Sequence, residues 1–238
     1  MGVILAFVVG LILGALVNRA ADVLPANGQP PRCRACGAPR SVCFSLPELL
    51  LPRHCPACRA VDRRPLWVAL TSAFLNSYLW HRFGVSLQLV FIGAYTVVLL
   101  LILVIDIEHR LVLNRVLASA ALLALIGSWI VGVPDLLHAL LGGVIGFGIF
   151  LVIALAKPGG MGGGDVKLAG LIGLITGYPL VLVALFLGIV AGGVGAALLL
   201  VSGQVRKGSY VPYAPFLTLG AWLTLLHGDE IWQWYRGG

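Results

Sequence analysis

Long apolar runs recur along almost the whole chain, and this repetition constrains the fold more than any other feature. They cover roughly 2–17, 66–80, 86–105, 111–131, 136–156, 167–177, 179–202 and 211–227. A helix needs about 20 residues to cross the hydrocarbon of a bilayer. No water is available there, so each run must satisfy its own backbone hydrogen bonds as a helix. Of the 238 residues, 60% are hydrophobic and 11% charged. The expected class is therefore an all-α polytopic membrane protein with about eight transmembrane helices. The sixth run has 11 residues before Tyr178-Pro179, too few to cross alone. It either begins inside the glycine-rich stretch before it or is re-entrant.

Charge orients the set. With eight crossings, 14 of the 16 lysines and arginines fall on one side, and only Arg82 and Arg236 on the other. Such residues collect on the cytoplasmic side. The net charge of +7 is therefore read as membrane orientation and not as nucleic-acid binding. Both termini are expected outside. The first run lacks a basic leader and a small-residue cleavage site, so it is expected to stay as the first span.

The polar stretch 18–65 carries Cys33-Arg-Ala-Cys36 and Cys55-Pro-Ala-Cys58. Two such turns, each presenting two thiolates, suit one tetrahedral zinc ion. The alternative is a pair of disulfides, which a reducing cytoplasm disfavours. Four thiolates leave no open coordination position, so the metal would be structural. Cys43 is left over and is read as a bystander. The expected organisation is a first helix over 1–17, a small cytoplasmic zinc-binding loop domain over 18–65 and a multi-span domain over 66–238.

Chemistry concentrates in Lys157-Pro-Gly-Gly-Met-Gly-Gly-Gly-Asp-Val-Lys-Leu168. Gly162, Gly163 and Gly164 leave room for a substrate backbone to approach, and Asp165 follows where a loop enters an apolar run. A second aspartate, Asp106, ends the run Leu99-Leu-Leu-Ile-Leu-Val-Ile, with Glu108 and His109 just after it. The chain has nine acidic residues. Only Asp106, Glu108 and Asp165 lie at the edge of an apolar run on the positive side. Ionisable groups at membrane depth are costly and point to function.

Two neighbouring carboxylates do not both ionise easily, so one is protonated while the other is charged. The charged one takes a proton from water as it attacks an amide carbonyl, and the protonated one donates to the carbonyl oxygen. Two rival readings use the same residues. Asp106, Glu108, His109 and Asp165 are also suited to a hard divalent cation. A proton- or cation-coupled transporter is the other rival, although such proteins favour midplane carboxylates and repeated halves, and no repeat is visible here. The pairs Gly142/Gly146 and Gly188/Gly192 predict close helix packing without bearing on activity. Trp222, Trp232, Trp234 and Tyr235 are read as interfacial anchors.

The chain resembles the bacterial type IV prepilin peptidases, which are leader peptidases and N-methyltransferases of type IV pili and type II secretion. Gly14-Ala-Leu-Val-Asn18 through Pro25, the two CxxC pairs, Arg64-Pro-Leu-Trp, Ile105-Asp106 and Gly162-Gly-Gly-Asp165 all carry the likeness, as does Val211-Pro-Tyr-Ala-Pro-Phe through Trp222. The stretch Gly162-Gly-Gly-Asp165 matches the family's GxGD signature, shared with presenilin-like intramembrane proteases. The resemblance implies a non-metal aspartyl endopeptidase of the bacterial inner membrane with Asp106 and Asp165 catalytic. It implies prepilin or pseudopilin substrates, cut after a glycine at the cytoplasmic membrane edge. It also implies N-methylation of the new terminus from S-adenosylmethionine, associated with the 18–65 region. Val23 stands where the family has arginine, Val68 where it has glutamate, Glu108 where a second aspartate is frequent, and Leu113-Asn114 where it has Pro-Asp. The first two departures lie in or beside the methylation region, and the alternative is a peptidase alone.

Overall fold

A computed structural model describes residues 1–25, 32, 33, 35–39, 50–156, 161–202 and 213–237. Its described residues form eight helices: α1 Gly2–Val23, α2 Arg64–Phe83, α3 Leu87–His109, α4 Asn114–Val131, α5 Leu136–Ala156, α6 Gly163–Thr176, α7 Leu180–Val201 and α8 Ala214–Tyr235. Each corresponds to one expected apolar run. Five of them, α1, α3, α4, α5 and α7, are long and apolar enough to cross a membrane. The protein is an all-α polytopic membrane protein. Lys157 and Cys43 lie outside the described residues.

The chain divides into two compact units, Met1–Ile105 and Asp106–Gly238. In the first, α1 packs on α2 through glycine. A Cβ at Gly10 would come within 2.5 Å of the Ala73 Cα, and one at Gly14 within 2.6 Å of the Ala69 Cα. Lipid tails are as apolar as leucine, so such helices associate through close backbone packing.

Helix α1 continues six residues beyond the predicted boundary at Val17 because its polar end is satisfied internally. Asn18 is fully buried and its Nδ2 donates to the Pro65 carbonyl at 3.0 Å. Asp22 accepts from Arg53 at 2.7 Å and Arg64 at 2.6 Å. These bonds tie the end of α1 to the start of α2 and to strand β1, Arg53–His54, which pairs antiparallel with β2, Val61–Asp62.

In the second unit the short helix α6 is the centre, and α4, α5, α7 and α8 all pack against it. Its 14 residues span about 21 Å, less than the ~30 Å hydrocarbon core. Ten of them are buried, so the longer helices cover most of it. It begins at Gly163, inside the glycine-rich stretch, as one of the two sequence readings requires.

The glycine pairs pack as expected. Gly142 backs onto Gly173, Gly146 onto Ala169, Gly188 onto Leu217 and Gly192 onto Tyr213. Helix α5 is capped by Asp135, which accepts from the His138 backbone N–H at 2.9 Å, the bond of an N-cap residue to the third helical position. Trp222 departs from its expected role. Helix α8 runs on to Tyr235, which leaves Trp222 in mid-helix and 7% exposed. Trp234 and Tyr235 are exposed at the helix end, and Trp232 stacks on Tyr235 with centroids 5.8 Å apart.

Candidate active site and thiol cluster

The second unit begins at Asp106, on the last turn of α3. Arg110 ends that helix. Its N–H bonds the Asp106 carbonyl at 2.8 Å, and its φ of 54° is left-handed, a conformation rare for a residue with a side chain. This closure resembles the left-handed caps usually made by glycine. Three residues on, Leu113 is extended, and Val112 lies against the start of α6. A Cβ at Gly164 would lie 2.9 Å from the Val112 Cβ. Gly164 therefore lets two segments of this chain meet. Among the described residues, a Cβ at Gly163 would meet nothing within 4 Å, so that position is open to them.

Asp165 is the third residue of α6. Its N–H donates to the Gly162 carbonyl at 3.0 Å. Its carboxylate accepts from the Gly162 N–H at 3.3 Å, the returning half of a capping box. Gly162 is the N-cap, with φ −77° and ψ 144°. The glycine–aspartate spacing thus has a local physical reason: it sets Asp165 one turn inside the helix, where an anion is favoured by the helix dipole.

Asp106 and Asp165 are each 3% exposed and lie within electrostatic range of one another, with Arg110 also within range of Asp106. Asp106 Oδ2 is buried and has no hydrogen-bond partner among the described residues. Buried polar atoms are nearly always paired, so an orphan of this kind marks strain or function. Glu108 is half-buried, and His109 is exposed with its Nε2 3.9 Å from the Glu108 carboxylate. Tyr213, the N-cap of α8, lies within electrostatic range of Asp165. Sequence reasoning did not single it out, although it falls within the last-span motif.

The thiol cluster belongs to the first unit. Cys33 and Cys55 each open a matching turn. The Cys33 N–H bonds the Ala38 carbonyl and its carbonyl accepts from Gly37. The Cys55 N–H bonds the Ala60 carbonyl and its carbonyl accepts from Arg59. Gly37 and Arg59, each directly after a second cysteine, are left-handed with φ 71° and 57°. None of the four cysteines is in a disulfide, and their sulfurs lie within 4.8 Å of one another.

The Cys33–Cys58 and Cys36–Cys55 separations are 3.8 and 3.7 Å. A tetrahedron with metal–sulfur bonds of about 2.3 Å has edges of about 3.8 Å. The cluster therefore fits a structural zinc ion. Among the described residues it is the one group of three or more His, Cys, Asp or Glu side chains whose ligand atoms converge.

Residues 93–197 match the type IV leader peptidase family. The chain is 31% identical to a prepilin leader peptidase/N-methyltransferase of Bacillus subtilis (strain 168), over 96% of each chain. It is 29% identical to the protein of the same name from Pseudomonas aeruginosa, over 90% of this chain and 75% of that one. With that of Pseudomonas putida it shares 31% identity over 88% and 74%. No solved structure gives a significant match. The similarity to the Bacillus protein runs through both units, and the chain belongs to the type IV leader peptidase family.

Proposed function

We propose that this leader peptidase removes the leader of prepilins or pseudopilins by aspartyl chemistry at Asp106 and Asp165. The observation that supports this reading is two buried carboxylates from separate helices within electrostatic range of one another, one with an oxygen that has no hydrogen-bond partner among the described residues. The pair shares one proton. The ionised carboxylate accepts a proton from water as the water oxygen bonds the scissile carbonyl carbon. The protonated carboxyl donates to the carbonyl oxygen. Collapse of the tetrahedral gem-diol breaks the C–N bond: the leaving amine takes the proton the first carboxylate received, and one diol hydroxyl returns its proton to the second carboxylate as the new C=O forms, which restores the shared proton.

The cut follows a glycine of the substrate at the cytoplasmic edge of the inner membrane, which suits carboxylates at helix ends. Gly163, open on α6, gives the substrate backbone room to approach, with Gly162 and Gly164 shaping the turn. N-methylation of the new terminus from S-adenosylmethionine is the second activity, supported by the names of the relatives. It is assigned to the 18–65 region. A zinc ion on Cys33, Cys36, Cys55 and Cys58 would hold that loop's fold.

The test is cleavage of a prepilin in membranes by wild type, Asp106→Asn and Asp165→Asn at matched expression. Asparagine keeps the shape and removes the titratable proton. Both variants are expected to accumulate without cutting. Cleavage by either variant near the wild-type rate removes that aspartate from the mechanism.

A further inference from the structure

The second unit holds a trough of about 620 Å³ between α4, α5 and α6. Each helix lines it with residues spaced i, i+3, i+4, i+7, beginning at Asn114, Leu140 and Lys167. Small side chains at Ala118, Ala121 and Gly170 keep it open. Asn114 and Lys167 are its two strongly polar residues, and they meet at one end, where Lys167 Nζ donates to Asn114 Oδ1 at 2.8 Å. Both are exposed. Lys167 is two positions from Asp165, about 200° around α6. The trough therefore lies on the face of α6 turned away from Asp165, outside the proposed cleavage site.

Seven residues of helix make the trough about 10 Å long. One leaflet of hydrocarbon is about 15 Å deep, half the ~30 Å core. A helix that crosses the membrane would run well beyond this length, whereas a lipid tail anchored at the interface matches it. At the polar end, a neutral amide holds the lysine, so its positive charge is not cancelled. Asn114 Nδ2 keeps its own N–H donors. An ammonium beside an amide donor at the head of an apolar trough is the complement of a phosphate diester with a hydrocarbon tail.

We propose that this trough binds an anionic phospholipid, its phosphate on Lys167 and Asn114 and one acyl chain along Ala118, Ala121 and Gly170. The test is native mass spectrometry of the full chain released from micelles with equimolar phosphatidylglycerol and phosphatidylcholine. Wild type is expected to retain phosphatidylglycerol in preference. Lys167→Gln should reduce that preference about fivefold, the effect of one cation near the membrane surface. Ala118→Phe, which fills the trough, should abolish retention of that lipid. Millimolar inorganic phosphate should leave it bound.

An unchanged preference in Lys167→Gln, unchanged retention in Ala118→Phe, or displacement by inorganic phosphate each overturns the proposal. So does displacement by a hydrophobic helical peptide, which would assign the trough to a protein partner. None of these readouts depends on cleavage, so the proposal fails or stands apart from the aspartyl assignment.

Discussion

Asp22 lies on the last turn of α1 and Asp106 on the last turn of α3; each closes an apolar helix, and they are 8% and 3% exposed. Their partners differ. Asp22 is held by two guanidinium groups at 2.6 and 2.7 Å. Asp106 has one oxygen with no hydrogen-bond partner among the described residues and a second carboxylate within electrostatic range. A buried charge neutralised by well-placed donors is a structural group. A buried carboxyl within electrostatic range of another carboxyl, with an oxygen lacking a described partner, is a candidate for proton transfer. Burial is alike at the two positions, and the company each aspartate keeps distinguishes the clamp from the proposed catalytic pair.

The contrast breaks most readily at the carboxyl pair. Asp106→Ala and Asp165→Ala should each lower cleavage by about 10³-fold or more, within the range for loss of general acid–base catalysis. The double variant should lose little beyond either single one, because groups that act as a unit are non-additive. Losses that multiply would mean that the two act separately.

At Asp22 the expected loss is of stability. Asp22→Ala removes the carboxylate that Arg53 and Arg64 share, and loss of one partner of a buried ion pair should cost about 3 kcal/mol or more. Thermal unfolding of the purified chain measures this, and cleavage per folded molecule should stay near wild type.

Two adjacent glycines sharpen the distinction between packing and access. Gly164→Ala pushes a methyl into Val112, and overpacking of this kind costs about 1–3 kcal/mol. Both stability and cleavage should fall. Gly163→Ala meets nothing within 4 Å among the described residues, so its stability should hold and any loss should appear in the KM for prepilin. Equal stability losses in the two variants would remove the distinction.

The slowest effect on cleavage is expected from the thiol cluster. A chelator should strip the metal and open the loop, followed by limited proteolysis within 32–63. Cleavage should decline slowly, in step with that opening. A prompt loss restored at once by metal would instead indicate an ion at the carboxyl pair.

Much of this was legible in the chain. The apolar runs forecast eight helices in order, because satisfaction of the backbone in lipid leaves few other forms. The CxxC spacing forecast the thiol cluster, because each turn is local. Asp22 was missed because α1 was ended at Val17. Its polar end reads as loop until Arg53 and Arg64, more than 30 positions away, are known to reach it. The role of Gly164 was hidden for the same reason, since Val112 is remote in sequence. Trp222 was placed at an interface because α8 was ended at 227, eight residues before its observed last residue, Tyr235. Periodicity located the helices, and tertiary partners decided what their ends do.

The most direct test of the contrast measures thermal stability and prepilin cleavage on the same preparations of Asp22→Asn, Asp106→Asn and Asp165→Asn. The predicted result is a crossover. Asp22→Asn should unfold at lower temperature yet still cut, while Asp106→Asn and Asp165→Asn should remain as stable as wild type and fail to cut. An Asp106→Asn protein that cuts normally, or an Asp22→Asn protein that is fully stable but inactive, would contradict the account.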